Sequence, residues 1–422
     1  MLANKLMGIT KSIYKRNGLC RLTAMHSQFL FLLFVLPFSL FSIHSAFAQK
    51  KEISQARSYL KSGKDYDKAE RLMTDLLKDS SNRSNERIYV LWYEAVKAQY
   101  DQANMRLYLK QKQDTAAFFD LNRRMFTILE RLDSLDMRPD KKGRVDLEYR
   151  KKHAALLDSY RRNLFGAGSY HVRKAEYQKA FDYFERYIDC ERQPLFTDYH
   201  YDSLDTRMPE AAYWAVFCGY KIQDPVLTLR YRKLALRDTA KVQYTMQYMA
   251  EARRWLKDQE YYVKTLENGF RRFPMSTYFF PRLLDSYTVQ GRLDKALALS
   301  DSALQVCDSC EIFLFAKSTT LLRMEKYGES VKVSNRLIEL NDSLAEPYFN
   351  AGTAYLNMAL KLDERKDKKQ LRQIYQKARA HIERYRQLAP NEKQKWGPAL
   401  YRIYLNLNMG KQFDEIDRLL KK

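Results

Sequence analysis

Glycine and proline are scarce in this chain, at 13 and 10 of 422 residues. Few positions can break a helix or reverse the backbone cheaply, which excludes a fold that turns every few residues. Cysteine is scarcer still: of five, only Cys190, Cys218, Cys307 and Cys310 lie beyond Ala48. Four are too few for a disulfide scaffold, so a packed core must carry the stability. The histidines beyond Ala48 are His153, His171, His200 and His381, and no two stand a helical turn apart. That excludes a His-Glu-x-x-His metal site. A glycine-rich phosphate loop and a nucleophile elbow are both missing, and no pair of carboxylates is singled out for acid–base work. The chain therefore reads as a non-enzyme, with no cofactor and no metal expected. Apolar runs are short as well, the longest stretch spanning about 15 residues, below the ~20 of a spanning helix.

What is plentiful favours helix. Leu, Ala, Lys, Arg, Glu and Gln dominate, and straight-chain residues lose little rotamer freedom in a helix. The 31 Tyr and 22 Phe suit helix-pair interfaces, where a ring buries its apolar face and a Tyr hydroxyl reaches a polar rim. The formal charge is +23, and beyond Ala48 it is +18, from 69 basic against 51 acidic residues. Such an excess attracts nucleic acid, anionic membrane or acidic partners. Here the charges are scattered along helices and not gathered into blocks, which reads first as a solvated face. No nucleic-acid partner is expected, and an anionic cell-wall or surface polymer is the second reading of the charge.

The segment 1–48 has the layout of an export signal. Lys5, Lys11, Lys15, Arg16 and Arg21 form a positive leader, Phe29 to Leu36 is unbroken apolar sequence, and Ser45-Ala46-Phe47-Ala48 ends in small-x-small. Cleavage is expected after Ala48, leaving no transmembrane segment and placing the mature chain in the periplasm or cell envelope. A retained anchor is the alternative, disfavoured by the short apolar stretch. A lipid anchor is disfavoured too, because Cys20 precedes that stretch.

Beyond the leader, residues recur every 34 positions. Leu284, Ser318 and Gly352 share one register, and Tyr287, Leu321 and Tyr355 another. Within Gly291-Arg292-Leu293-Asp294-Lys295-Ala296, the places of Leu293 and Ala296 are taken one period later by Tyr327 and Ser330. Small side chains let two helices approach, and large ones fill the groove beside the crossing. Further copies are Gly168 with Tyr177, Ala180, Phe184 and Tyr187; Gly352 and Tyr355 with Tyr375, Ala378, Ile382, Tyr385 and Pro390; and Tyr66 and Ala69 with Met73 and Leu76. Weaker copies carry Trp214 and Ala215 with Leu227 and Tyr231, and Ala250 with Tyr262, Leu266, Gly269 and Pro274, while 396–420 reads as a capping pair.

This pattern resembles the tetratricopeptide repeat, a 34-residue helix–turn–helix unit. The resemblance implies an all-α fold, an α-solenoid of antiparallel helix pairs wound into a right-handed superhelix. It also resembles exported envelope or periplasmic tetratricopeptide proteins of Bacteroidetes-type bacteria. Two spacings stretch, from 34 to 47 between Ala180 and Leu227 and to 48 between Ser330 and Ala378, which places insertions near 192–209 and 359–372. Insertions of this kind tend to fall on loops of one face, often the binding face, and the second, charge-rich one should lengthen both helices of its pair. Residues 85–160 fit the template poorly and read as long helices over 87–109, 115–132 and 145–164. The expected organisation is a signal peptide over 1–48, a helical region with one repeat-like pair over 49–160, and a superhelix over 161–422.

Cys307-Asp308-Ser309-Cys310 lies where one pair turns toward the next, and reads as a local disulfide or a pair of inert thiols; a thioredoxin-type couple would want a βαβ context. Asp114, Asp133, Asp202, Asp238, Asp301 and Asp342 each precede Ser or Thr and then an apolar residue. The triplet is similar to an O-glycosylation acceptor of that phylum's envelope proteins, with helix N-capping as the simpler reading. Groove-facing positions of the resembled repeat fall on Gln247, Glu251, Arg254, Arg282, Asp285, Phe315, Thr319, Arg323, Phe349, Asn350 and Thr353. Only Asn350 matches the set that clamps a C-terminal carboxylate, so that mode is not expected. The resemblance implies a non-catalytic scaffold or adaptor that binds a protein or peptide partner in its concave groove.

Overall fold

The computed structural model describes residues 49–139 and 141–421, and among them there is no β-strand. The expected leader and its cut site lie outside the described residues. The chain divides into two compact units, with the division between Asp205 and Thr206. Position 160, where sequence spacing sets a boundary, falls inside a helix.

The first unit contains α1 (49–62), α2 (Tyr66–Leu76), α3 (Glu86–Tyr108), α4 (Thr115–Asp136), α5 (Arg150–Arg173), α6 (Tyr177–Asp189) and the single turn α7 (Tyr201–Leu204). The helix expected to begin at Val145 starts at Arg150, and Asp136 at the end of α4 accepts the Tyr149 backbone N–H at 3.3 Å just before it. Gly168 is required where α5 meets α6: a Cβ there would stand 2.6 Å from the Phe184 ring. The first insertion folds onto its own unit. Residues 190–199 form two short 3-10 turns, and these with α7 fold back on α4 and α5, burying Leu195, Phe196 and Tyr201. Arg161, 5 % exposed, fixes this plug. Its guanidinium lies 3.7 Å from the Tyr187 ring centre and 3.8 Å from that of Tyr201, and pairs with Asp205 at 2.5 Å.

The second unit runs through α8 (Met208–Lys221), α9 (Pro225–Arg230), α10 (Arg232–Ala235), α11 (Val242–Trp255), α12 (Gln259–Arg272), α13 (Phe279–Val289), α14 (Leu293–Val306), α15 (Glu311–Arg323), α16 (Tyr327–Leu340), α17 (Ala345–Ala359), α18 (Lys368–Leu388), α19 (Lys393–Asn406) and α20 (Gly410–Leu420). Consecutive helices pack in pairs, and first helices of neighbouring pairs also touch, α8 on α11, α15 on α17 and α17 on α19. In the opening pair the second helix is broken into α9 and α10. Gly219 lets the chain back close, since a Cβ there would meet the Thr228 backbone nitrogen at 2.5 Å. The second insertion lengthens mainly one helix: α18 has 21 residues against 14 in α16, while α17 has 15 against 13 in α15.

The turn within each pair repeats as faithfully as the core. Gln223, Lys257, Gly291 and Glu325, spaced by 34, all adopt positive φ, between 56° and 70°. The next N–H reaches back five residues, as from Asp258 to the Arg253 carbonyl at 3.0 Å and from Lys326 to that of Leu321 at 2.9 Å. This is a Schellman closure, which satisfies carbonyls left open by the helix end. Of the Asp-Ser/Thr triplets, Asp114 caps α4 by accepting from the Ala116 and Ala117 N–H groups. Asp133 and Asp301 lie within α4 and α14 and cap nothing; Asp133 instead pairs with Arg150 at 2.7 Å.

Candidate partner-binding face

The first helices of the second unit carry the expected contact residues, but the structure sorts them into two groups. Across α11 and α13, Glu251 gathers its neighbours. It is 7 % exposed, accepts from the Tyr278 hydroxyl at 2.7 Å and from Arg254 Nε at 2.8 Å, and lies 3.6 Å from Arg282. The Arg282 guanidinium sits 3.9 Å over the Tyr278 ring, and the Tyr278 hydroxyl is 3.3 Å from the Gln247 carbonyl. Glu251 strengthens the hold of Arg254 on its proton, and burial together with Glu251 raises the Tyr278 phenol. Glu251 is thus a structural link between two pairs and is not open to a partner, while Arg254 and Arg282 show their outer edges.

Asn350 is corrected in the same way. It is 6 % exposed and donates to Ser318 Oγ at 2.9 Å and Thr319 Oγ1 at 3.0 Å, tying α17 to α15. Its geometry leaves no amide free to clamp a carboxylate. Phe349 is half-buried, 5.0 Å from the Tyr385 ring, and Thr353 is half-buried on the same helix. Asp285, Phe315 and Arg323 are exposed.

Sequence spacing missed the most distinctive part of this face. Trp214, Phe217 and Tyr220 on α8, with Tyr244, Tyr248 and Trp255 on α11, form a half-exposed aromatic belt. Tyr220 stacks on Tyr248 at 4.5 Å and on Trp255 at 5.6 Å, and Trp214 meets Phe217 edge-on at 5.5 Å. Lys241 lies 5.5 Å over Trp214 and Lys221 5.4 Å over Phe217, so cations flank the rings. The signal was present: the α8 rings recur at spacings of three, which place them on one helix face. The same spacing also serves a core, so it does not by itself mark an exposed face.

Cys307 and Cys310 are joined in a disulfide between the end of α14 and the start of α15. One repeat later, Asn341 occupies the position of Cys307. There its side chain closes the turn by accepting the Ser343 N–H at 3.1 Å. The disulfide thus does covalently what an Asn turn does in the next connection. Among the described residues no group of His, Cys, Asp or Glu is placed to hold a metal ion, and no helix is long and apolar enough to cross a membrane.

Helix pairs whose turns recur in a fixed register define the class: the described residues are all-α, and the second unit stacks helix pairs of the tetratricopeptide type. Solved structures similar to it include the C-terminal part of a TPR repeat-containing protein from Cytophaga hutchinsonii, at 11 % identity and a TM-score of 0.41, covering 60 % of this chain and 92 % of that one. A monomeric IFIT1 mutant with m7Gppp-AAAA is similar at 11 % identity and a TM-score of 0.34, over 77 % of this chain and 68 % of that one. The P58(IPK) TPR domain is similar at 12 % identity and a TM-score of 0.25, over 89 % and 98 %. No protein-family model matches the chain. No curated protein matches it either.

Proposed function

We propose that this protein is a non-catalytic scaffold of the periplasm or cell envelope, which holds a protein or peptide partner against the first-helix face of its second unit. The observation that carries the reading is the aromatic belt of α8 and α11 with its flanking cations. Half-exposed Trp and Tyr are among the residue types that anchor protein interfaces. A contiguous apolar face on a soluble unit is also the usual mark of an interaction site. The leader-like sequence and the Cys307–Cys310 disulfide support an exported location, since disulfides persist in oxidising compartments.

A photo-crosslinking amino acid placed at Tyr244 or Arg323 should trap discrete protein partners in cells, and one at Lys295 on the second helix α14 should not. Equal trapping at all three positions, or none at the first two, would defeat the proposal. Fractionation with N-terminal sequencing tests the location, the expected first residue being Gln49. Binding to an anionic envelope polymer, the reading suggested by the net +18, would show instead as salt-sensitive retention on cell-wall material indifferent to changes in the belt.

A further inference from the structure

The repeat register allows the same junction to be compared between successive first helices. Where α11 meets α13, Gln243 donates to Ser276 Oγ at 3.2 Å. Where α13 meets α15, Cys310 is drawn into the disulfide, packed against the core around Phe280 and Phe313. Where α17 meets α19, Phe349 packs on Tyr385. Where α15 meets α17, Phe315 and Leu344 hold the register places of Phe349 and Cys310. A cavity of about 280 Å³ opens there, lined by Ile312, Phe315, Leu337, Leu344 and Pro347. Ile312 is 53 % exposed and Phe315 37 %.

The lips of this cavity are acidic, in a chain whose charge is strongly positive. Glu311 stands on one side and Glu346 on the other, both exposed. Each also lies in the first turn of its helix, where the macrodipole favours a carboxylate. Their existing partners leave them available: Glu311 accepts from the Asn341 amide at 2.9 Å, and Glu346 lies 3.6 Å from Lys395, which is closer to Glu392 at 3.2 Å. The cavity is smaller than the ~300 Å³ at which small-molecule sites begin, and its lining offers few polar groups. It has the size and chemistry for one large aliphatic or aromatic side chain whose neighbours in the chain are cationic.

Resting on the scaffold reading above, we infer that the α15–α17 junction is an anchor pocket for a partner segment carrying a large apolar residue next to Lys or Arg. The apolar side chain fills the cavity, and the adjoining cation spans Glu311 and Glu346. Burying that side chain supplies affinity, and the two carboxylates set which flanking residues are accepted.

The test is selection of a phage-displayed random peptide library on the folded protein. Selected sequences should be enriched in Leu, Ile, Met or Phe adjacent to Lys or Arg. Ile312→Arg, at an exposed position that folding tolerates, should weaken the selected peptides by about tenfold or more. Glu311→Lys combined with Glu346→Lys should move the flanking preference to Asp and Glu, with circular dichroism confirming the fold of each variant. Peptides that depend on Tyr248 but are indifferent to Ile312→Arg would overturn the pocket and leave the scaffold reading standing. If no peptide were enriched above bare support, both would fall.

Discussion

Arg161 shows what one side chain can organise. Its guanidinium lies between two tyrosine rings, donates to the Tyr187 carbonyl at 3.0 Å and pairs with Asp205, 44 residues away. Arg161→Ala would take the cation away from Asp205 and release the 190–205 plug, at a cost of about 3 kcal/mol in urea unfolding. A loss under about 1 kcal/mol would mean the plug holds without it. Glu130 is a second such residue. Although Arg186 lies 2.5 Å away, burial outweighs the ion pair and pushes the carboxyl up to about 7. A raised folded pKa means the native state keeps a proton that the unfolded state has released. From about pH 4.5 to 7 this group therefore makes stability fall as pH rises. His153, its pKa lowered by burial, acts in the opposite direction. The comparison is accordingly made against Glu130→Gln, in which the decline in urea midpoint between pH 4.5 and 7.5 should flatten. Neither residue was legible in the sequence, because its partners are distant along the chain. Glu251 and Asn350 were misread for a related reason: helical spacing gives the face of a residue but not the neighbour that covers it.

At the scale of elements the sequence was most informative where spacing is strict. The first helices α11, α13, α15 and α17 stand where the repeat register puts them, because Ala250, Leu284, Ser318 and Gly352 occupy equivalent places on them. The turns were invisible, since Gln223, Lys257 and Glu325 hold a left-handed conformation that glycine adopts more easily. An L side chain there costs roughly 1–2 kcal/mol, part of which glycine would return as unfolded-state entropy. Lys257→Gly should therefore raise stability by roughly 0.5–1 kcal/mol in urea denaturation. Gly291→Ala, in the same conformation one repeat later, should lower it by a similar amount. If both substitutions destabilised, the turn would owe its shape to the Lys257 side chain. The insertions defeated spacing entirely, for an insertion changes the register without saying whether it becomes a plug, as at 190–205, or a longer helix, as in α18.

For the whole molecule, composition fixed the class of fold and left the working surface obscure. The high aromatic content correctly implied helix-pair interfaces, yet it concealed six rings that stay half in solvent on α8 and α11. The cysteines offer a direct check on the assembled chain. Cys190 and Cys218 are buried, and burial pushes both thiols up to about 12. In a mature chain that starts at Gln49, a thiol reagent should find no reactive thiol in the native state. It should find two after denaturation and four after denaturation with a reductant. Four without reductant would mean the Cys307–Cys310 bridge is not formed in the isolated protein. The evenly spaced left-handed turns carry a further consequence. Because Gln223, Lys257, Gly291 and Glu325 present the same backbone geometry at equal intervals, cutting at one and rejoining at the next yields matching ends. The chain can lose or gain whole repeat modules without a new kind of joint. A gene encoding it could therefore change the reach of its product by duplication alone.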